Sequence, residues 1–165
     1  MDYTSADLEE YEKRARSGPC FICELVRDNP NYAHHVVFED DDFIAFLDKY
    51  PTVQGKTIVA PKRHVEHVVS DLTETEFQRT MTVVYRIASA VEATVPTERL
   101  YLLSLGSQEG NRHLHWHIAP LPPGIPYQQQ QFHALMLENG ILPSNQEELA
   151  DLAHRITARL RTEPT

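Results

Sequence analysis

Residues 113–120 read HLHWHIAP. His113, His115 and His117 alternate with Leu114, Trp116 and Ile118, and an extended strand sends successive side chains to opposite faces. The pattern predicts a strand with one row of imidazoles and one apolar row packed on a core, with Trp116 as the anchor. A sheet buried on a single face is a common antiparallel arrangement.

The flanking sequence fits that arrangement. HVVFED and DFIAFLD, joined at Asp40, Asp41 and Asp42, predict a hairpin. KTIVA is a third strand, entered through the turn YPTVQG. Thr73 with Glu76 forms a capping box before a helix in which Phe77, Met81, Val84, Tyr85, Ala88 and Val91 recur at helical spacing. LYLLSL and RHLHWHIA supply two more strands around the loop GSQEGN. Residues 5–16 predict a polar helix ended by Gly18 and Pro19, and CFICELV a short helical turn. PLPPGIP is irregular, since its prolines lack donors. Gln128 to Leu137 predict a helix, and Ser144 with Glu147 a second capping box before a helix carrying Leu149, Leu152, Ile156 and Leu160. The expected fold is α+β: an antiparallel sheet of about five strands, one long helix and C-terminal helices, packed against one face. The 165 residues suit one domain, with the core at 20–120 and a loop and helical extension at 121–165.

The chain is 41% hydrophobic and 24% charged, as soluble globular proteins are. No stretch approaches the ~20 apolar residues of a membrane span. The opening MDYTSADLEEYEKRARSG lacks the basic and apolar regions of an export signal, so the cytoplasm is the expected location. A net charge of −9 argues against nucleic acid and leaves room for a small anionic ligand. Lys62, Arg63 and Arg112 offer local cations, although solvated surface is the plainer role.

Cys20 and Cys23, in PCFIC, read as half a zinc site or a redox motif. A redox motif would want a preceding strand, and a charged helical segment precedes it here, which favours zinc. Two buried thiols without metal are the plainer alternative. Along a strand His113 and His117 lie roughly 13 Å apart, too far to share one ion without strong bending. Divided labour follows. An end histidine, His113 or another, would join the cysteines, with His64 of PKRH ranked above His34, His35 and His67 as the fourth ligand. A closed four-ligand site is structural. His115 and His117 are then free for chemistry. One neutral imidazole can attack phosphorus while its other nitrogen is held as N–H, and the second can donate to the phosphoryl oxygens. Amides near Gly110 and Asn111 can assist. A polar face that merely contains histidines is the plainer reading.

HLHWHIAP resembles the signature of the histidine triad (HIT) family of nucleotide hydrolases and transferases. CFIC resembles the family's zinc-binding element, and FEDDDFIAFLDKYPTVQGKTIVAPKRH its hairpin, turn and third strand, so the likeness covers residues 20–120. The resemblance implies that His115 is the nucleophile and that His117 contacts the phosphate. It assigns Cys20, Cys23, His64 and His113 to zinc. It points to Asp48 for the ribose hydroxyls, to Phe21, Ile22, Leu25 and Phe46 for an apolar base slot, and to a homodimer acting on a nucleotide, usually of adenine. Three departures stand out. Gly55 and Lys56 replace a usual Gly-His, Ser104 replaces an Asn, and the loop before the triad is short, leaving Gln108 and Asn111 to take over phosphate contacts. The tail PLPPGIPYQQQQFHALM differs from common short members, which leaves the leaving group open. A zinc-dependent hydrolase with an open metal position and a non-catalytic nucleotide-binding module remain as alternative readings.

Overall fold

The computed structural model describes residues 3–143 and 145–162. Strands β1 (Val36–Glu39) and β2 (Phe43–Leu47) pair antiparallel. Their turn is set by Asp40, whose Oδ1 accepts from the amides of Asp42 and Phe43 at 2.9 and 2.7 Å. Strand β3 (Thr57–Pro61) follows a turn in which Gly55 adopts φ +81°; a Cβ there would also press on Val95 at 3.2 Å. With β4 (Arg99–Leu103) and β5 (Trp116–Leu121) the strands form one antiparallel sheet in the order β1-β2-β3-β5-β4. The expected α+β class and five-stranded sheet hold.

Helix α3 (Glu74–Glu92) opens on the expected capping box: the Thr73 amide donates to Glu76 Oε2 at 2.8 Å, and the Glu76 amide to Thr73 Oγ1 at 3.2 Å. Together with α5 (Gln146–Thr162), it covers one sheet face. Val84, Ile87, Leu152 and Ile156 meet Val59, Leu114, Trp116 and Ile118 there. The opposite face is not bare. Helix α2 (Phe21–Val26) lays Ile22 and Leu25 on Ile44, Phe46, Ile58 and Ala60. The expectation of helices on one face is thereby corrected. Its cause is visible in FIAFL, which is apolar at every position and so has no face to give to water.

Three other expectations change. The regular strand begins at Trp116, so His113 and His115 lie on its extended approach. There the Leu114 amide bonds the Val65 carbonyl at 2.7 Å instead of a neighbouring strand, and Ser104 Oγ donates to the His115 carbonyl at 2.7 Å. The expected helix over 128–137 is broken into a 3₁₀ turn (Tyr127–Gln129), the short α4 (Phe132–Leu135) and a second 3₁₀ turn (Leu137–Asn139). Gln131, at φ +57°, ends the first turn and bonds its amide to Tyr101 Oη at 3.0 Å. Ser144 lies outside the described residues. Asn145 and Glu148 exchange the reciprocal bonds of a cap, at 2.8 and 3.5 Å. The expected N-terminal helix forms as α1 (Leu8–Ser17), but begins at Leu8 rather than at residue 5, because Asp7 caps it by accepting from the Glu10 amide. Among the described residues no helix is long and apolar enough to cross a membrane.

Candidate functional site

The sheet register assembles the site. His117 sits opposite Ile58 and Leu103, and Ile58 opposite Phe46. Directly paired residues share a face. The triad side chains therefore lie on the α2 face, while Leu114, Trp116 and Ile118 enter the core on the other.

His115 is buried, 4% exposed, with Nδ1 2.6 Å from the His113 carbonyl. A carbonyl only accepts, so Nδ1 carries the proton and the neutral ring keeps its lone pair on Nε2. Burial holds its pKa below the ordinary histidine value. The His117 ring stands edge-on to it, centroids 4.8 Å apart. Nδ1 of His117 is buried with no partner. Burial first, then His115 and Lys56, push His117 down to about 3.

His113 turns the other way. Its Nε2 lies 2.8 Å from the Pro61 carbonyl, which commits that nitrogen to N–H and aims the Nδ1 lone pair at the cysteines. Nδ1 is 3.3 Å from Cys20 Sγ and 3.5 Å from Cys23 Sγ. His64 repeats the device, with Nε2 on Glu66 at 3.2 Å and Nδ1 3.2 Å from Cys23 Sγ. All four ligand atoms lie within 4.8 Å of one another. Around a tetrahedral zinc, sulfur and nitrogen ligands stand roughly 3.6 Å apart, so the donor set fits such an ion. Burial and the adjacent Cys20 push the Cys23 thiol up to about 11, so two thiolates here call for a cation. The Cys20, Cys23, His64 and His113 cluster can hold a metal ion.

At the other end of the face Asp48 is buried against Lys56, Nζ to Oδ2 3.1 Å, and accepts from the Tyr50 amide at 2.9 Å. Burial alone would raise this carboxyl, but Lys56 and the Tyr50 amide outweigh it and hold Asp48 below its ordinary range. The pair needs both members, because a lone buried charge is costly.

The apolar slot residues divide. Ile22 and Phe46 have no exposed surface and Leu25 little, so they form a floor. Phe21 stands above it, 6.1 Å from the His115 ring and 6.2 Å from Phe46. His34, which spacing alone leaves as structural or surface, joins them at 4.8 Å from Phe46. In the loop before the triad, Asn111 adopts φ +52° and donates from Nδ2 to Tyr11 Oη at 3.0 Å. Gly110 pairs with Ser107, and Gln108 reaches His67 at 3.5 Å. Lys62 and Arg63 are engaged by Glu39 and Glu76, as surface cations are. Cavities of about 520 and 300 Å³ flank the Asp48 end; the second is lined by Tyr11, Arg14 and Tyr50. Tyr11 and Lys56 reach the Asp48 segment only through the fold, Lys56 across the β2–β3 register and Tyr11 by the docking of α1 on Tyr50, whereas Tyr50 stands two residues from Asp48 in the chain.

Residues 29–123, more than half of the chain, match the HIT domain. The chain belongs to the HIT family. An uncharacterised HIT-like protein of Saccharolobus solfataricus is 30% identical over 104 residues, covering 61% of this chain and 73% of that protein. Another, from Mycoplasma genitalium, is 30% identical over 112 residues, 66% and 77% of the two chains. Among solved structures, a hypothetical histidine triad nucleotide-binding protein from Sulfolobus tokodaii superposes with a TM-score of 0.68 at 28% identity, covering 86% of this chain and 92% of that one. A Zn-bound histidine triad family protein from Mycobacterium smegmatis has a TM-score of 0.66 at 20% identity over 86% and 93% of the chains, and shares the fold.

The burial of His117 in this HIT site has a measurable consequence. Unfolded, it titrates near 6.5; folded, near 3. Between those values the unfolded chain binds more protons, so stability falls as pH drops from 6.5, by up to about 1.4 kcal/mol per pH unit from this group. Urea midpoints at pH 7 and pH 5 should differ accordingly. His117→Asn should reduce the difference, and an unchanged pH dependence would refute the assignment.

Proposed function

We propose that this HIT protein is a nucleotide hydrolase or nucleotidyl transferase. It cleaves at the α-phosphate of a nucleotide conjugate, a dinucleoside polyphosphate or a nucleoside phosphoramidate, through a covalent nucleotidyl-His115 intermediate. The observation that carries this reading is the His115 Nδ1–H held on the His113 carbonyl at 2.6 Å, which reserves Nε2 as the nucleophile. Nε2 attacks the α-phosphorus, a P–N bond forms, and the bond to the leaving group breaks. Water or another acceptor then attacks, releasing the nucleoside monophosphate and restoring the imidazole. His117 and the amide of Asn111 face the phosphoryl oxygens, with Gln108 at the rim of that loop. The Gly110 amide, expected to assist, instead donates to the Ser107 carbonyl at 3.2 Å.

Asp48 retains lone pairs beyond those used by Lys56 and Tyr50, and these accept the ribose hydroxyls. The base, adenine by the family's habit, lies on Phe21 over the floor of Ile22, Leu25 and Phe46. Cys20, Cys23, His64 and His113 would hold zinc, and a Zn-bound family structure supports that identity. Bound there, the ion supplies structure by joining the N-terminal segment to the triad. The nucleotide-binding description of the Sulfolobus tokodaii relative supports the ligand class. A homodimer is the family's usual state and is part of this reading. The net charge of −9 disfavours nucleic acid, and the composition fits a cytoplasmic protein without a membrane partner.

The test is purified protein against a panel of adenylyl conjugates, with products read by mass spectrometry. Expected are release of adenosine monophosphate and a transient adenylyl mass increment on the chain. Binding of adenosine monophosphate without turnover of any conjugate would favour the non-catalytic module instead.

A further inference from the structure

Helix α1 lies outside the matched HIT domain, and none of its residues is buried. It adds little to the core, yet it is tied down along its length to the two segments that border the triad. Its C-terminal half packs on the loop before the triad. Arg16 pairs with Glu109 at 2.8 Å, and a Cβ on Gly110 would come within 2.9 Å of the Ala15 carbonyl, so glycine is what lets the helix approach so closely. Its middle packs on the Asp48 segment. The Arg14 guanidinium lies 5.1 Å over the Tyr50 ring, and Tyr11 stands edge-on to the same ring at 5.8 Å.

Tyr11 is the point where both attachments meet. Its Oη accepts from Asn111 Nδ2 at 3.0 Å on one side, while on the other its ring abuts Tyr50, whose amide is bonded to Asp48 at 2.9 Å. Because Oη is the acceptor in the Asn111 bond, its own proton is unspent, and no acceptor for it is found among the described residues. Burial and the Asp48 carboxylate raise the phenol's pKa, so it stays protonated and remains a donor.

We propose that α1 forms an outer wall of the nucleotide site and that Tyr11 donates its phenolic proton to the bound nucleotide between its sugar and its α-phosphate. This rests on the nucleotide reading above, which assigns the sugar to Asp48 and the phosphate to the Asn111 loop. The ligand class is a nucleoside 5′-phosphoryl conjugate, and Tyr11 makes the N-terminal helix part of its recognition. Asn111 orients the phenol, and Tyr50 fixes the plane of its ring.

The test is Tyr11→Phe in the full chain, which keeps the ring and removes only the hydroxyl. With the adenylyl conjugate that the wild type turns over, kcat/KM should fall about tenfold to hundredfold, the range for a hydrogen bond to a charged group. The bond from Asn111 is lost with the hydroxyl, so Tm should fall slightly, while the Arg16–Glu109 pair and the Tyr50 contacts keep the helix docked and the rate of tryptic cleavage at Arg14 and Arg16 unchanged. An unaltered kcat/KM beside an active wild type overturns the role of Tyr11 alone. A loss of activity matched by faster cleavage within α1 also overturns it, since the phenol would then only hold the helix. A wild type that neither binds adenosine monophosphate nor turns over any conjugate overturns the nucleotide reading, and this inference with it.

Discussion

His115→Asn is expected to lower turnover of a cleavable nucleotide conjugate by at least about 10⁴-fold, the scale on which loss of a covalent nucleophile is felt. The substitution is a clean one. An Asn amide can still donate to the His113 carbonyl that His115 Nδ1 contacts at 2.6 Å, so the local backbone keeps its partner. What disappears is the ring's Nε2 lone pair. The smaller side chain leaves space beside Phe21, whose ring centroid is 6.1 Å from that of His115, and a modest cost of about 1–2 kcal/mol follows. The variant should therefore fold, hold its metal and bind adenosine monophosphate, while forming no adenylyl adduct. Retained turnover would defeat the nucleophile assignment. Loss of activity on chelation in a chain that stays folded and keeps His115 would point instead to metal-activated water.

Much of this arrangement was legible in the chain because its signals are local. The alternation of His113 to Ile118 separated an apolar row from a histidine row, and the structure puts Leu114, Trp116 and Ile118 in the core. Thr73 and Glu76 marked the start of α3 through bonds that span three residues. What escaped the sequence depends on long-range partners. The strand's true start at Trp116 depends on Val65 and Ser104 taking up the backbone groups around Leu114 and His115. The break at Gln131 depends on Tyr101, thirty residues earlier. The burial of Lys56 depends on Asp48, and their pairing exists only once β2 and β3 are in register. Tyr11 is the extreme case, joined to Asn111 across 100 positions. A polar, amphipathic N-terminal helix gives no hint of where it docks.

Removing the metal should damage this protein through its fold. Purified chain is expected to carry about one zinc per molecule. Cys20→Ser should lose it and unfold at lower guanidinium concentration by at least about 3 kcal/mol, a fraction of the ~10–16 kcal/mol apparent binding energy of structural zinc. Serine is chosen because Cys20 also caps α2, accepting from the Cys23 amide at 3.4 Å, and a hydroxyl can keep that role. The stability lost then reports the metal and not the cap. The physical reason for a large effect is connectivity. The four candidate ligands come from the start of α2, the segment after β3 and the approach to β5, so one ion there would tie three stretches that share no regular strand pairing at that point. His113 is 1% exposed and its Nε2 is committed to the Pro61 carbonyl, so freeing Nδ1 from a metal leaves a buried lone pair facing two thiols. His115 follows two residues later and takes its tautomer from the His113 carbonyl. A disordered His113 would therefore release the nucleophile's proton to either nitrogen, and catalysis would fall as a consequence of unfolding at the metal end. Wild type that stays metal-free with native cysteines, and unfolds at the same midpoint with and without chelator, would remove zinc from this account and leave the thiols as packing.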